Sequence, residues 1–512
     1  MKKAVSICLK ILLILVYFVF SFYPKAGAAA DYYPGSDWRT STPEEQGIDS
    51  EKLVQMLKYV KAENTDIDSI LIIRHGYLVL ESYIAPYDQN TIHNVKSVSK
   101  SILSALVGIA LREKILTGVN QRVADIFPEY FTLSKDPRKK EITLYNLLTM
   151  TAGIDWGDDS TWYDRLGKNQ NRIRAIIETP LKDNPGEKFS YNTASTHLMS
   201  GILTQCSGMS TRELARKYLF DSLGIDVRLW RQDPQGIYVG GAEIFLTPRD
   251  MAKFGYLYLK KGFWNGKEIV PSEWIDESTQ FQVKTGGDQG ISDDYGYWWW
   301  VFPGGYLAVG FGGQLIIVVP DQDLEVVVTS ANVLQSFKIW NNYIKPALQP
   351  GKLEPNPNAA TSLLQLIHDL EHPDSEPVSP VPEGAKQAIA KKFKLEKNGL
   401  GFTAFQLNTV NDKEYTVLVE KTGSKYELPV GLDGLYRIGN DNEPQAVFSG
   451  GVPVACKGKW LISSPAPTFV LEWFNIGEPT RLKAEITFAQ KRVQMKITNK
   501  VTNQTINING KR

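Results

Sequence analysis

A proline-rich segment divides the 512-residue chain into two parts of unequal size. Eight prolines lie between Pro346 and Pro382, with one short helical pattern at residues 362–370 between them. Proline fixes φ and has no backbone N–H donor, so such a stretch favours an extended connector. We therefore predict a linker at residues 351–385, which separates a region at 31–350 from a C-terminal region at 386–512.

The larger region alternates strand patterns with helix patterns. Apolar residues recur at helical spacing over residues 97–111, and His75-Gly76 separates two β-rich runs as in a hairpin. Strands at both ends with helices between them predict an α/β (α+β) fold, in which both termini of the region complete one antiparallel sheet beside an all-helical part. The predicted strands are 69–73, 77–83, 315–319 and 325–329.

The C-terminal region has no clear helix pattern. Apolar Leu482, Ala484 and Ile486 alternate with Lys483 and Glu485, and residues 492–497 alternate in the same way. This period of two indicates strands with one buried and one solvated face. We predict an all-β domain, a small sandwich or barrel, in which we find no catalytic constellation.

The N-terminus has the three-part pattern of an export signal. Lys2 and Lys3 form a charged start, residues 11–23 have low polarity, and Ala26-Gly27-Ala28 offers small residues to a signal peptidase. Lys10 interrupts any longer apolar span, which disfavours a permanent membrane helix of about 20 residues. We predict a cleavable signal peptide at residues 1–30 and a secreted, extracytoplasmic protein, with an uncleaved membrane anchor as the alternative.

Charge and cysteine content narrow the possible partners. Removing the four lysines of residues 1–30, which hold no acid, changes the formal net charge from +1 to −3. A net charge of +1 or −3 does not indicate a strongly basic surface, which a protein needs to displace counterions from phosphates. We therefore expect no nucleic-acid partner. The cysteines that then remain, Cys206 and Cys456, form no disulfide framework and are expected to be independent thiols.

The main candidate for chemistry is Ser97-Val98-Ser99-Lys100 at the start of the first predicted helix. Residues three apart lie on the same face of a helix, so an amine can take the proton of the serine hydroxyl. The tetrapeptide alone is a weak signal and favours a polar helix start with a solvated lysine, because a chain of this size contains such matches by chance. However, the rest of this helix is apolar and must be buried, and a polar cluster at its start then needs partners. This context favours Ser97 as a nucleophile and Lys100 as its base.

Two further elements could complete such a site. Tyr191 follows the turn Pro185-Gly186 and precedes a predicted helix at 196–204, so its phenol could relay a proton if it reached Ser97; an ordinary surface tyrosine is the alternative. Glycines in residues 308–314 would let a substrate backbone lie against a strand. The amides of Phe311 and Ser97 could then bind an oxyanion, although a glycine-rich strand without a ligand would look the same.

The order and spacing of these three elements resemble the serine β-lactamase and penicillin-binding-protein (DD-peptidase) superfamily, and are nearest to its β-lactamase-related, class C-like serine hydrolases and esterases. The resemblance spans roughly residues 40–345 and is supported by three further segments. These are Leu147-Leu148-Thr149-Met150-Thr151-Ala152-Gly153, Leu246-Thr247-Pro248-Arg249-Asp250-Met251 and Tyr295-Gly296-Tyr297-Trp298-Trp299.

The resemblance implies a β-lactamase/DD-peptidase-like fold with the site between the sheet and the all-helical part. It implies an acyl-enzyme on Ser97, with Lys100 and Tyr191 sharing proton transfer and with substrate lying along Gly310 and Gly312. The all-β C-terminal domain resembles an appendage found on some of these hydrolases.

Two departures from the family pattern bear on the substrate. The family has Tyr-x-Asn where this chain has Tyr191-Asn192-Thr193, so the substrate-binding amide is one position early or is replaced by Thr193. The family also has a Lys or His two positions before Gly310, where this chain has Ala308. That cation normally faces a substrate carboxylate, so a neutral ester or amide is favoured here over a classical β-lactam.

Three hypotheses follow. The first is a secreted serine hydrolase that acts on small-molecule esters or amides. The second is a DD-peptidase, penicillin-binding protein or β-lactamase that acts on cell-wall peptides or β-lactams. The third is a non-catalytic wall-binding or regulatory protein, which has no use for Ser97, Lys100 and Tyr191 together.

Other machinery is not indicated. The chain has no Gly-x-Ser-x-Gly elbow, no His-Glu-x-x-His and no phosphate-binding Gly-Lys-Ser/Thr loop. Its histidines show no metal-ligand spacing, so we expect no metal and no cofactor; His93, which lies shortly before Ser97, is the one histidine worth testing. The sequence does not indicate an oligomeric state.

Overall fold

The computed structural model describes residues 32–132, 135–156, 169–421, 423–439, 452–462, 464 and 466–512. The export signal predicted at residues 1–30 lies outside these ranges. Across the described part of the chain, no helix combines the length and the apolar character needed to cross a membrane.

An eight-stranded sheet forms the centre of the larger region. Its strand order is β2-β1-β13-β12-β11-β10-β9-β8, and each of its pairings is antiparallel. Strand β1 pairs with β2 on one side and with β13, the last strand of the region, on the other. The sheet is therefore completed from both ends of the region, as predicted. Its strands are β1 (Ile67–Arg74), β2 (Tyr77–Tyr83), β8 (Val283–Lys284), β9 (Asp294–Tyr295), β10 (Trp300–Phe302), β11 (Gly305–Gly310), β12 (Gln314–Val319) and β13 (Leu324–Ser330).

Two small sheets accompany the large one. The first joins β3 (His93–Asn94), β4 (Leu229–Trp230) and β5 (Ile244–Leu246), and the second joins β6 (Phe263–Trp264) and β7 (Lys267–Glu268). Because β3 ends just before Ser97, the three-stranded sheet fixes the segment that leads into the candidate nucleophile.

Helices cover the large sheet and form a separate helical part. The helices of the larger region are α1 (Ser50–Ala62), α2 (Val98–Arg112), α3 (Val123–Ile126), α4 (Pro128–Phe131), α5 (Leu144–Leu148), α6 (Arg172–Glu178), α7 (Thr193–Ser207), α8 (Thr211–Ala215), α9 (Asp221–Leu223), α10 (Pro248–Leu259), α11 (Ser272–Thr279), α12 (Val333–Lys338) and α13 (Lys345–Ala347). Every residue of α2 from Val98 to Ala110 is buried, as its apolar pattern requires. The predicted α/β architecture is therefore confirmed.

The segment predicted as an extended linker contains a full helix, α14 (Pro357–Glu371). Asn356 caps its N-terminus and Pro357 occupies the first turn, where a missing N–H does no harm. Leu363 and Leu370 are buried in the core of the larger region. The helical pattern noted at residues 362–370 is thus part of a longer helix, and residues 357–371 are not extended, because this amphipathic helix between the prolines packs onto the preceding domain.

The C-terminal domain is a ten-stranded antiparallel sheet that closes on itself. Its order is β17-β16-β15-β14-β23-β22-β21-β20-β19-β18, and an additional parallel contact between β17 and β19 closes the sheet around a second apolar core. The prediction of an all-β domain is confirmed. Its strands are β14 (Phe393–Leu395), β15 (Phe402–Thr409), β16 (Glu414–Lys421), β17 (Ser424–Gly431), β18 (Arg437–Ile438), β19 (Val454–Leu461), β20 (Thr468–Asn475), β21 (Leu482–Ala489), β22 (Arg492–Asn499) and β23 (Thr505–Lys511).

Candidate active site

The candidate nucleophile occupies the N-cap of the buried helix α2. Ser97 has φ −70° and ψ −6°, and its side chain makes no capping hydrogen bond to the helix backbone. The hydroxyl is instead directed at Lys100, whose Nζ lies 2.8 Å from Ser97 Oγ. Ser97 itself is half-buried, so the structure brings the predicted pair together at an accessible point.

Lys100 is buried, with only 1% of its surface exposed. Besides Ser97, its Nζ donates to Thr193 Oγ1 at 3.1 Å and to the carbonyl oxygen of Gly241 at 3.0 Å. These three partners are uncharged oxygens, and a carbonyl oxygen can only accept. The alternative of a solvated lysine at a polar helix start is excluded by this burial.

Thr193 and Asn192 have different roles at the start of α7. Asn192 Oδ1 accepts from Ser195 N at 2.8 Å and its Nδ2 donates to Ser190 O at 2.8 Å, so this side chain caps the helix. The structure thus assigns Asn192 a role as helix cap, and its expected contact with substrate stays a prediction. Thr193, the first residue of the helix, provides the hydroxyl that reaches Lys100.

Tyr191 lies beside the same amine. Its ring centroid is 4.9 Å from Lys100 Nζ, and the ring stacks on Trp300 with centroids 5.8 Å apart. The backbone N–H of Tyr191 donates to Asp288 Oδ2 at 3.2 Å, which ties this loop to the segment around Asp288. The structure thus brings the Tyr191 ring next to Lys100, and proton transfer through its hydroxyl stays a prediction.

The end of β11 approaches the segment just before Ser97. A Cβ added at Gly310 would collide with the carbonyl oxygen of Val95, so glycine is needed there for two backbones to meet. Phe311 follows with a side chain that is 53% exposed. This contact brings the Gly310–Phe311 segment to Val95, two positions before Ser97, and the oxyanion site formed by the amides of Phe311 and Ser97 stays a prediction.

Two of the predicted substrate-binding positions have structural duties. Gly312 has φ +82°, and a Cβ added there would collide with Pro479 of the C-terminal domain. Ala308 is 1% exposed and belongs to the apolar core of the larger region. Backbone conformation and domain packing therefore already require glycine at position 312, and its expected contact with substrate stays a prediction.

Two of the three family-like segments are connected to α2 by hydrogen bonds. Trp298 Nε1 donates to Leu147 O at 3.0 Å, and the carbonyl oxygen of Trp298 accepts from Ser101 Oγ at 2.7 Å. These bonds join the segments 147–153 and 295–299 to the helix that carries Ser97. The third segment, 246–251, includes the N-cap Thr247 of α10, whose capping box with Asp250 explains its Thr-Pro-x-Asp pattern.

Sequence reasoning missed the Gly240-Gly241 pair. A Cβ at either position would collide with Thr196 of α7, so only glycines let this loop bring a carbonyl to Lys100. Two adjacent glycines are a recognisable sign of close backbone approach. However, Gly241 lies 141 residues after Lys100 in the sequence, so no local pattern indicated that its carbonyl would reach this lysine. It also missed Glu478, a residue of the C-terminal domain that contacts Lys96.

His93 has no catalytic geometry in the structure. It is fully buried, neither ring nitrogen has a hydrogen-bond partner, and burial together with the charge of Arg481 lowers its pKa to about 3. Its Nδ1 lies 3.6 Å from Asp68 Oδ2, but a neutral imidazole forms no ion pair. In the part of the chain that the structure describes, no group of three or more His, Cys, Asp and Glu side chains could hold a metal ion.

A half-buried serine paired with a buried lysine, beside a tyrosine and a strand end, defines a serine hydrolase of the Ser-Lys type. The family model described as Beta-lactamase matches residues 63–348, which is more than half of the chain. The chain therefore belongs to the beta-lactamase family and is a serine hydrolase.

Individual relatives share less than a quarter of their aligned residues with this chain. A 6-aminohexanoate-dimer hydrolase from Paenarthrobacter ureafaciens is 23% identical over 300 residues, which cover 53% of this chain and 74% of the relative. An uncharacterized protein from Alkalihalophilus pseudofirmus is 23% identical over 304 residues, covering 51% and 82% respectively. Among solved structures, a penicillin-binding protein homolog from Caulobacter crescentus has a TM-score of 0.46 and 14% identity, covering 58% of this chain and 94% of that one.

Proposed function

We propose that the protein is a secreted hydrolase that forms an acyl-enzyme on Ser97 and hydrolyses neutral amides or esters. The observation that carries the proposal is the pairing of Ser97 Oγ with the buried Lys100 Nζ at 2.8 Å. A neutral amine at this position has a lone pair that can take the proton of Ser97.

The buried environment suits that state of the amine, since removal from water disfavours a charged group. In the acylation step, Ser97 Oγ attacks the substrate carbonyl carbon while Lys100 takes the hydroxyl proton. The amides of Ser97 and Phe311 hold the oxyanion, and the leaving amine or alcohol receives a proton through Lys100 or Tyr191. Water then attacks the ester on Ser97 by the same route and releases the acid.

A neutral substrate is supported by the charges near the nucleophile. Ala308 provides no cation at the position where the family has one, and the Lys96 ammonium is paired with Glu478 at 2.7 Å. Tyr191, whose ring stacks on the buried Trp300, and the exposed Phe311 offer aromatic surface beside the reaction centre. The relative named 6-aminohexanoate-dimer hydrolase bears only on the bond that is cleaved, for which it favours an amide over an ester.

Export is proposed on sequence grounds. The charged start, the low-polarity run and the small residues of positions 1–30 support it. Finding the mature N-terminus near residue 30 in protein secreted from a bacterial host would test this part independently of catalysis.

The catalytic proposal is tested by comparing three reagents on the purified protein: a fluorophosphonate probe, chromogenic esters and amides, and a chromogenic cephalosporin. We expect covalent labelling of Ser97 and turnover of neutral substrates without turnover of the cephalosporin. Cephalosporin turnover would favour the penicillin-binding-protein and β-lactamase alternative. Absence of labelling would favour the non-catalytic, wall-binding alternative.

A further inference from the structure

The loop between β20 and β21, residues 476–481, reaches from the C-terminal domain to the segment that precedes the nucleophile. The backbone N–H of Asn94 donates to Gly477 O at 2.8 Å. Gly477 has φ +76°, and a Cβ there would collide with the carbonyl oxygen of Ile92. Only glycine permits this approach, so the contact between the two domains is built at backbone level.

Glu478 of this loop is buried among groups of the catalytic region. Its side chain is 8% exposed; Oε2 lies 2.7 Å from Lys96 Nζ, and Oε1 accepts from Arg231 Nη1 at 2.9 Å. Asn94 Nδ2 lies 3.2 Å from each carboxylate oxygen. A buried carboxylate with this many donors is held in one position.

The partners of Glu478 fix an unfavourable backbone conformation next to Ser97. Lys96 has φ +49°, in the left-handed region that residues with a Cβ rarely adopt. Its N–H donates to Asn94 Oδ1 at 3.1 Å, while its ammonium is bound by Glu478. Strain of this kind persists only where surrounding contacts over-determine it, and here the contacts set the direction of the Ser97 amide.

The same loop touches the other side of the oxyanion site. Pro479 packs against Gly312, one residue after Phe311, closely enough to exclude any side chain at that position. Arg481 anchors the loop, since its Nη2 donates to Asp68 Oδ1 at 2.6 Å and its Nη1 to Glu478 O at 2.7 Å.

We infer that the C-terminal domain is a positioning element of the active site, in which Glu478 and Pro479 hold the Ser97 and Phe311 segments at the separation that an oxyanion requires. The inference rests on the proposed function, which assigns these two amides to the oxyanion site. It gives the domain a role in catalysis through the geometry of the nucleophile rather than through contact with substrate.

The test is the kinetics of Glu478→Gln in the full-length protein. Loss of the carboxylate charge removes the shorter of two ion pairs of Lys96, whose Nζ also lies 3.7 Å from Glu243 Oε1. We expect the Ser97 amide then to shift, and a displacement of about 1 Å can lower a rate about 100-fold. We expect kcat for a chromogenic ester and the rate of fluorophosphonate labelling to fall about 10- to 100-fold, with KM changed less than threefold. Glu485→Gln, on β21 with its carboxylate paired to Lys483 at 2.9 Å, is the matched control and should keep wild-type kinetics.

The partner on the catalytic side provides a second variant. Lys96→Gln should also lower kcat, and the double variant Lys96→Gln/Glu478→Gln should be no more than about threefold slower than the slower single variant, because both act through one contact. A folded Glu478→Gln enzyme with wild-type kcat would overturn the inference, as would single effects that multiply in the double variant.

If Glu478→Gln does not fold, Lys96→Gln decides, and a wild-type kcat for that variant rejects the positioning role. The proposed function can fail separately. Absence of labelling of the wild-type protein removes both ideas, whereas labelled wild-type protein with unaffected Glu478 and Lys96 variants removes only this one.

Discussion

The two large sheets of the molecule are associated with buried polar groups in different ways. Beside the eight-stranded sheet, Ser97, Lys100 and Thr193 lie together within hydrogen-bonding distance at a point open to substrate. Within the closed C-terminal sheet, the core is formed by apolar side chains, whereas Glu478 and Arg481, two of the buried charged residues of this domain, lie in the β20–β21 loop that faces the other domain. The comparison shows that the interior of the second sheet is apolar, while this loop provides charged contacts to the catalytic region.

The largest expected effect concerns the nucleophile and its base. Ser97→Ala should abolish covalent labelling, and Lys100→Ala should lower kcat about 1000-fold, since general-base catalysis contributes about 10²–10⁴-fold. Lys253, which is also buried and donates to Gly224 O at 3.0 Å, provides the control variant Lys253→Met with near-wild-type kcat. A fully active Lys100→Ala enzyme would refute the base assignment and remove the contrast between the two sheets.

The corresponding change in the closed sheet should affect stability instead. Phe469 is fully buried and contacts the Trp460 ring at a centroid distance of 5.1 Å. We expect Phe469→Ala to lower the free energy of unfolding by about 3–5 kcal/mol, because it leaves a cavity. Turnover per fluorophosphonate-labelled site should remain unchanged.

Urea denaturation followed by tryptophan fluorescence measures this effect. Ile462→Ala, at a residue 73% exposed in the same domain, is the control and should change the free energy by less than about 0.5 kcal/mol. A fall in turnover per labelled site for Phe469→Ala would show that the interior of the closed sheet, and not only its loop, tunes the chemistry.

The interface between the two domains should respond to pH through His93. Burial lowers its pKa to about 3 from an ordinary value of 6.5, so the unfolded state binds a proton that the folded state does not. The contribution of His93 to the free energy of unfolding is therefore largest above pH 6.5 and decreases as the pH falls. The decrease between pH 7 and pH 5 is about 2 kcal/mol. Asp68 acts in the opposite direction, since burial raises its pKa to about 6 against the influence of Arg481.

The variant His93→Gln separates these two contributions. Between pH 7 and pH 5, the free energy of unfolding measured by urea denaturation should fall by about 2 kcal/mol less in His93→Gln than in the wild type. The variant His368→Gln, at an exposed histidine, is the control. The same pH dependence in His93→Gln and the wild type would mean that His93 titrates normally in the folded protein.

Local patterns made the nucleophile predictable, while distant contacts did not. Ser97 and Lys100 are joined by one helical turn, so their spacing together with the apolar helix that follows indicated the pair, and alternation in residues 482–486 identified a strand. Gly241 and Glu478 approach from other parts of the chain, and no local pattern states which backbone a glycine or carboxylate will meet. The helix at 357–371 was underestimated because the surrounding prolines outweighed its apolar spacing.

The smallest expected effect separates two adjacent residues that the sequence treated as equivalent. Thr193 Oγ1 accepts from Lys100 Nζ, whereas Asn192 caps α7. Thr193→Val keeps the shape but removes the hydroxyl, so kcat should fall about tenfold, equivalent to about 1.4 kcal/mol, with Thr193→Ser close to wild type. Asn192→Ala should instead lower the free energy of unfolding by about 1 kcal/mol while kcat and KM stay within about twofold. Loss of substrate affinity in Asn192→Ala would restore the family role of the amide and show that the cap opens when substrate binds.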